Sequence, residues 1–213
     1  MARIAILANS KRPDGRCLGG IDLETGEWVR PVTRNSDGIP TQRCFINGRM
    51  IRLLDILEVE LIQPRDTHEF QKENKIIRNW KWSVKQRLKM AAISQFVDST
   101  TPVLHSASDR VDPATLKQLP ADKWTSLQLV KPRDLSFSRH YFDPNRWVAN
   151  FFDACGNAYS IKVTDPEVTI RLEKGDKISK KSLLTVSMTK PWTHNANEKA
   201  AQCYKVVAAV IEP

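Results

Sequence analysis

The chain has 213 residues, of which 41% are apolar, and it carries a formal net charge of +9 with a pI of about 9.5. This length allows one large domain or two small ones. The apolar residues are spread over the whole chain, which excludes a largely disordered protein. No apolar run approaches the roughly 18–20 residues of a membrane-spanning helix, so we expect no membrane partner and a cytoplasmic location. The basic balance favours polyanionic partners.

The residues that most often bind metals are scattered along the sequence. No two cysteines form a Cys-x-x-Cys pair, which argues against a zinc ribbon, and a cytosolic chain of this size has little use for a disulfide framework. The histidines are also isolated. We therefore expect reduced thiols, no metal site and no cofactor. The residues concerned are Cys17, Cys44, Cys155, Cys203, His68, His105, His140 and His194.

The N-terminal part of the chain predicts short strands. Residues 3–8 are strongly apolar and indicate a buried strand, which is followed by a polar, basic loop that begins at Asn9. The next predicted elements are a strand pair at 16–22 and 27–33, a loop at 34–48 and a strand at 50–62.

A change of pattern follows between Asn74 and Val97. Apolar positions recur there mostly at steps of three and four residues, which predicts an amphipathic helix. Residues 72–89 hold seven Lys and Arg residues and one Glu, so this short window carries most of the net charge. Residues 98–122 contain three prolines and predict a linker with a short helical turn at 113–118.

The C-terminal part returns to strand patterns. The predicted strands are 126–130, a hairpin of 146–152 and 158–163, and the strong β runs 183–188 and 204–211. Thr164, Asp165 and Pro166 indicate a turn that ends the second strand of the hairpin. Short strands at these spacings are typical of small barrels or sandwiches.

Several segments resemble the dual OB-containing domain family of bacteria. They are Leu7–Lys11, Gly15–Cys17 with Gly20, Trp28–Val32, Leu54–Ile56, Gln71–Asn74, Ser126–Pro132, Tyr159–Pro166 and Tyr204–Val210. The ordered set covers the chain from residue 3 to residue 211. The resemblance implies two OB-like barrels in one compact unit, often found as a lone protein or encoded beside genome-defence genes. It also implies a polar signature at Asn9, Ser10, Lys11, Arg16, Cys17, Arg30, Gln71, Glu73 and Asn74.

The predicted fold class is therefore mainly β with one amphipathic helix, arranged as two small OB-like β-barrels packed in one compact chain. The N-terminal barrel is expected over residues 1–122, with the helical insert at about 74–97 and the linker. The C-terminal barrel is expected over residues 123–213.

The first candidate site is the polar loop after the first strand, with arginines that follow it. Lysine and arginine neutralise phosphates, arginine binds them bidentately, and amide side chains bond base edges. The alternative is a solvated turn in which Asn9 caps its own backbone. The candidate residues are Asn9, Ser10, Lys11, Arg16, Arg30 and Arg34.

The second candidate site is a basic stripe on the predicted helix, formed by Arg78, Lys81, Lys85 and Lys89. Such a stripe can follow a phosphate backbone, and the alternative is a solvated helix face. Trp82 falls outside the apolar face and could stack on a base or pack inside the protein. Gln71, Glu73 and Asn74 could read a base, or Asn74 could cap the helix.

A further aromatic and basic patch is indicated by Arg139, His140, Tyr141, Arg146 and Trp147. Catalytic signatures are not apparent in the sequence. Asp55, Glu58 and Glu60 are similar to the acidic clusters of metal nucleases, but Glu58 and Glu60 project from one strand face and no lysine follows at a suitable spacing. The sequence also contains no phosphate-binding glycine loop and no serine-nucleophile motif.

We predict a protein without catalytic residues that binds DNA or RNA, with single strands favoured. We also expect a role in bacterial genome defence and a defence-system protein as a further partner. One alternative is a sensor that binds a small nucleotide or a modified base in the N-terminal loop. Another is a docking subunit of a defence complex, with the basic helix as the contact.

Overall fold

The computed structural model describes residues 1–13, 15–35, 38–64, 70–193 and 200–213. His68 and His194, which were considered as metal ligands, lie outside these residues. The chain divides into two compact units. The first unit comprises Met1–Thr67, Glu73–Phe96 and Pro213, and the second comprises His68–Lys72 and Val97–Glu212.

The division between the units differs from the predicted boundary at residue 122. Segment 97–122, which was expected to be a linker of the N-terminal barrel, belongs to the second unit. The physical reason is burial, because Val103, Leu104 and Leu116 of this segment contribute to the hydrophobic core of the second unit.

The first unit is built from nine strands and one short helix among the described residues. They are β1 (Ala2–Arg12), β2 (Gly15–Asp22), β3 (Trp28–Val32), β4 (Phe45–Ile46), β5 (Arg49–Met50), β6 (Asp55–Val59), β7 (Leu61–Ile62), β8 (Asn74–Ile77), β9 (Ser83–Arg87) and α1 (Met90–Ile93). The main sheet has the order β7-β8-β3-β2-β1-β6-β9. β7 lies at one end of this order and β6 lies next to the other end, although the two strands follow each other directly in the chain. The sheet therefore curls so that its ends come together, as in the Greek-key barrel of an OB fold.

The second unit repeats this topology. Its elements are β10 (Arg110–Val111), α2 (Pro113–Lys117), β11 (Leu127–Val130), β12 (Arg133–Arg139), β13 (Trp147–Phe152), β14 (Ala158–Val163), α3 (Pro166–Glu173), β15 (Leu183–Met188) and β16 (Cys203–Ile211). The sheet order is β11-β15-β16-β14-β13-β12. In each unit a three-stranded meander is followed by a parallel pairing of its third strand, β3 with β8 and β14 with β16. The prediction of a mainly β fold with two OB-like units is confirmed.

The predicted amphipathic helix at 74–97 is wrong. Residues 74–77 form β8, residues 83–87 form β9, and helix is confined to α1 and a 3₁₀ turn at Ser94–Phe96. β3 and β6 of the first sheet each have an edge that this segment pairs with: β8 pairs with β3, and β9 pairs with β6. The three- and four-residue spacing came from apolar side chains of separate elements, and β-branched Ile76, Ile77 and Val84 fit strands better than a helix.

Three elements of the second unit, β10, β12 and α3, were not predicted, whereas the helical turn at 113–118 is confirmed as α2. Asp165 and Pro166 were read as a turn but begin α3. The Asp165 carboxylate accepts hydrogen bonds from the backbone N–H groups of Glu167 at 3.0 Å and Val168 at 3.2 Å, and proline fits the first helical position. Within the described residues, no helix has the length and apolar character needed to cross a bilayer.

Gly20 shows why the first meander needs a residue without a side chain. A Cβ atom built at this position would lie 2.1 Å from the backbone oxygen of Ala5 in β1. β1 and β2 therefore approach each other closely at this position, and the hairpin that they form leaves no room for a side chain there.

Candidate nucleic-acid interface

The predicted polar loop that begins at Asn9 is part of a strand. β1 continues to Arg12 and pairs with β2, so the basic segment forms the end of a β-hairpin. The pairing includes a register shift between Ile6 and Ala8, after which Asn9 lies opposite Leu18 and Lys11 lies opposite Arg16. The loop prediction failed because polar residues can extend a hairpin as long as their backbone groups pair.

The hairpin brings the side chains of Lys11 and Arg16 to one face. Directly opposed residues of an antiparallel pair have neighbouring Cβ atoms, so two cations in this position repel each other. Neither forms an ion pair within the part of the chain that the structure describes. The backbone of Arg16 is held on its other side by two hydrogen bonds of 2.8 Å with Ile39. The result is a pair of adjacent positive charges on paired strands, without a carboxylate partner among the described residues.

Asn9 and Ser10 lie deeper in the same hairpin. Asn9 is half-buried, and its amide donates a 2.7 Å hydrogen bond to the carbonyl oxygen of Ile51. Its side-chain oxygen is buried and accepts no hydrogen bond from the described residues. Ser10 lies opposite Cys17 and is buried. These two polar residues therefore fix the base of the hairpin, while Lys11 remains exposed near its end.

Arg30 occupies a different environment from the other predicted cations. It is only 4% exposed, and its guanidinium donates a 3.0 Å hydrogen bond to the Asn74 side-chain oxygen. Asn74 begins β8 and lies beside Arg30 in the parallel pair, so it does not cap a helix. Glu73 is also buried, and its carbonyl accepts from the Arg30 N–H. Arg34 lies on the surface beyond the end of β3.

The predicted basic stripe does not form, because its residues fall on different elements. The Lys85 ammonium lies 3.2 Å from the Glu58 carboxylate, and the Arg78 guanidinium lies 3.9 Å from the Glu60 carboxylate. These exposed pairs reduce the local positive charge, although each contributes little stability. Lys81 and Lys89 are exposed and have no ion pair among the described residues.

Trp82 is half-buried and packs edge-on against Trp80, with ring centroids 5.3 Å apart. Both rings contact the hydrophobic core of the first unit. The guanidinium of Arg43 lies 5.2 Å from the centre of the Trp80 ring. This arrangement uses Trp82 for packing.

The second unit exposes an aromatic hairpin that the sequence showed only in part. Tyr141 and Phe142 lie in the loop between β12 and β13 and are 90% and 85% exposed. Their ring centroids are 4.8 Å apart in an edge-on arrangement, and the His140 ring lies 6.1 Å from Phe142. Phe142 was missed as a candidate, although two adjacent aromatic residues in a polar segment between strands are a readable signal.

The flanking cations of this loop are paired. Arg139 forms an ion pair with Glu173 and lies 4.3 Å from the centre of the Trp147 ring, and Arg146 binds Asp143 at 2.6 Å. These contacts anchor both ends of the loop that carries the two exposed rings.

The β1–β2 and β12–β13 hairpins occupy equivalent positions, since each is the first hairpin of its unit. In OB folds the loop between the first two strands is one of the elements that bind oligonucleotides. A family model described as the dual OB-containing domain matches residues 2–210. No curated protein matches the chain. Among the described residues, no group of three or more His, Cys, Asp or Glu side chains is arranged to hold a metal ion.

Proposed function

Because the chain belongs to the dual OB-containing domain family, we propose that it binds single-stranded DNA or RNA through the first hairpin of each unit and performs no reaction on the strand. An oligonucleotide-binding role agrees with the OB topology of both units. The single observation that carries the proposal is the pair of directly opposed cations, Lys11 and Arg16, which have no ion pair among the described residues, on adjacent strands of the β1–β2 hairpin.

A phosphate is the natural partner of this pair. Two like charges directly opposite each other lower stability, and an anion placed between them converts that repulsion into two attractions. Arginine adds a planar set of donors that can bind two phosphate oxygens at once. The rigid backbone on both sides of Arg16 means that little ordering is needed when a phosphate binds.

The aromatic hairpin of the second unit supplies the complementary interaction. Stacking of a base on an exposed aromatic ring contributes about 1–3 kcal/mol and accepts any base sequence. Bases are free to stack in this way in a single strand but are paired in a duplex, so Tyr141 and Phe142 favour single strands. Among the other predicted cations, Lys81, Lys89 and Arg34 add long-range attraction, while Arg30 supports the barrel from within.

The test is fluorescence anisotropy with labelled single-stranded and duplex oligonucleotides over a salt series of about 50–200 mM. For a single strand each phosphate contact contributes about 0.7 to the slope of log affinity against log salt. Because the pair is proposed to hold one phosphate, the double variant Lys11→Ala with Arg16→Ala should lower the slope by about 0.7. The matched control is Lys180→Ala with Lys181→Ala, which removes the same charge from exposed positions of the second unit.

The Tyr141→Ala and Phe142→Ala variants test the stacking contribution. Each should weaken single-strand binding by about tenfold or more, with little change in the salt slope, because no charge is removed. Equal salt slopes for the wild type and the Lys11 and Arg16 double variant would contradict the proposed phosphate contacts. Equal affinity for single strands and duplexes would remove the strand preference.

The absence of a reaction is tested separately, by incubating end-labelled strands with the protein and Mg²⁺ or Mn²⁺. Shortened products that persist through purification would overturn that part of the proposal. A role in genome defence and a protein partner from such a system remain predictions from the family resemblance, to be tested by co-purification with proteins encoded nearby.

A further inference from the structure

The second unit contains a cavity that the proposed interface does not use. Its volume is about 330 Å³, and it opens beside the connection between β11 and β12. The apolar part of its wall is formed by Val97, Val103, Val130, Pro132 and Ala154. This volume lies at the lower end of the range of small-molecule sites, which is roughly 300–1,000 Å³.

One wall of the cavity, segment 98–106, is fixed by buried polar side chains of the barrel. The Gln128 amide donates to the Thr100 carbonyl at 2.8 Å and accepts from the Leu104 N–H at 2.9 Å. Lys205 donates to the Val103 carbonyl at 2.7 Å. A wall held in this way is already in place before a ligand arrives, which lowers the ordering cost of binding.

The backbone of the same segment needs these bonds. Leu104 and His105 have φ angles of 42° and 73°, in the left-handed region that side chains disfavour. The hydroxyl of Tyr159 accepts from the Val103 N–H at 3.0 Å and lies 3.2 Å from the Ser106 carbonyl oxygen, while its single proton is donated to Asp153 at 3.1 Å. The barrel therefore holds a strained turn in one conformation at the edge of the cavity.

The two carboxylates that line the cavity already accept hydrogen bonds from the protein. The Asp98 carboxylate accepts from the Thr100 N–H at 2.8 Å. Asp153 is buried and accepts from the N–H groups of Cys155 and Asn157, the Asn157 amide and the Tyr159 hydroxyl. Burial alone would raise the pKa of Asp153, but these hydrogen bonds outweigh it and lower the pKa, so the carboxylate stays charged and fully bonded.

Both cations of the lining, by contrast, are exposed and lack a carboxylate partner. Within the described residues neither Lys131 nor Arg133 forms an ion pair, and the one hydrogen bond recorded for the Arg133 side chain runs to the Ala154 carbonyl at 3.4 Å. Other arginines of this unit are paired with acids, as Arg139 is with Glu173. The mouth of the cavity thus offers two cations that have no ion pair among the described residues, and Ser99 and Thr101 also line the cavity.

We propose that this cavity binds one nucleotide unit, with the phosphate held by Lys131 and Arg133 at the mouth and the nucleoside placed against the apolar wall. The two cations and the volume point to a small phosphate-bearing compound. The choice of a nucleotide among such compounds rests on the proposed nucleic-acid-binding function. The bound unit is either a free nucleoside monophosphate or the 5′-phosphorylated end of a strand.

Isothermal titration calorimetry with the full chain tests the site. The probes are the four ribonucleoside 5′-monophosphates, the matching nucleosides, ribose 5-phosphate and a 5′-phosphorylated dinucleotide. We expect at least one monophosphate to bind, and to bind at least about tenfold more tightly than its nucleoside and than ribose 5-phosphate. Tighter binding of the dinucleotide than of the monophosphate assigns the site to strand ends, and the reverse assigns it to free nucleotides.

Two independent variants connect binding to the cavity. Lys131→Ala with Arg133→Ala should weaken binding about tenfold or more, and Ala154→Trp should fill the cavity from an exposed turn and abolish binding. Lys180→Ala with Lys181→Ala is the control of equal charge change. No binding of any probe, binding that survives both cavity variants, or equal binding of nucleoside and monophosphate would overturn the proposal.

The outcome is separable from that of the proposed function. Lys11→Ala with Arg16→Ala should leave monophosphate binding unchanged, because these residues belong to the other unit. Loss of oligonucleotide binding with retained monophosphate binding, or the opposite result, therefore shows which of the two sites fails.

Discussion

The buried lysine behind the cavity wall gives a quantitative prediction about stability and pH. Lys205 is 2% exposed, and its ammonium donates hydrogen bonds to the Val103 and Ser106 carbonyls and to the Ser106 hydroxyl. Burial lowers its pKa from 10.5 to about 7, and the carboxylates of Asp109 and Asp153 oppose this shift without reversing it. The ring of Tyr159, 5.4 Å away, also faces the ammonium.

The direction of the pH effect follows from the lowered pKa. Between about pH 7 and the unfolded value of 10.5, the unfolded chain holds a proton that the folded protein has released, so the free energy of unfolding rises with pH. Integrating this difference from about pH 7 to about pH 8.5 gives a gain of about 1–2 kcal/mol. The cost of burying the charged amine is present below pH 7 and disappears as the unfolded lysine loses its proton.

Two other shifted groups set the upper limit of this window. Burial raises the pKa of Cys44 from 9.0 to about 11, against a smaller lowering effect of Arg16. Burial also raises the pKa of Tyr159 from 10.0 to about 12. Both groups keep a proton in the folded state that the unfolded chain releases, so they make stability fall as pH rises through their unfolded values. Measurements at or below about pH 8.5 avoid both.

The assay compares wild type with Lys205→Met by urea denaturation, followed by tryptophan fluorescence. Methionine keeps the length of the side chain without a titrating group, and other titrations common to both proteins cancel. Wild type should gain about 1–2 kcal/mol relative to the variant between about pH 7 and about pH 8.5, with equal m values. The same change in both proteins would refute the reasoning and show that the three acceptors keep Lys205 charged over this range.

Three further substitutions have expected outcomes. Gly20→Ala should destabilise the protein by about 3 kcal/mol in urea denaturation, because its Cβ would collide with a backbone oxygen of β1; a loss under about 1 kcal/mol would contradict this. Asn74→Ala should cost about 1–3 kcal/mol in the same assay, since it removes an acceptor from the buried Arg30 guanidinium, and unchanged stability would show that water replaces it. Glu58→Gln should strengthen single-strand binding in the anisotropy assay by freeing Lys85, and unchanged affinity would place Lys85 outside the interface.

Sequence patterns predicted the strands that are buried on both sides or that form simple hairpins. β15 and β16 are mostly buried runs that are rich in apolar residues, and β13 and β14 flank a glycine turn, so each is recognisable without knowledge of its neighbours. β12 was missed because most of its residues are polar and exposed, with only Leu135 buried and Phe137 half-buried. Its strand character comes from pairing with β13.

The helix predicted at 74–97 failed for a related reason. Hydrophobic spacing reports which side chains are buried, but it does not report which backbone groups need partners. β3 and β6 offer free edges to this segment, and pairing with those edges decides its conformation. Asp165 shows the opposite case, in which a local signal was present but was assigned to a turn.

The sequence by itself determined the composition of the candidate sites: an excess of cations, their concentration near residues 9–16 and 72–89, and the aromatic residues near 141. Only the tertiary structure decided which of these groups are exposed and which are buried or paired with acids. Strand register sets Lys11 opposite Arg16, and burial removes Arg30 from the surface. Arg78 and Lys85 form ion pairs with acidic neighbours. The cavity beside Lys131 is formed by segments that are distant in the sequence. The physical reason is that charge is a property of a residue, whereas its availability depends on neighbours that the chain brings together only on folding.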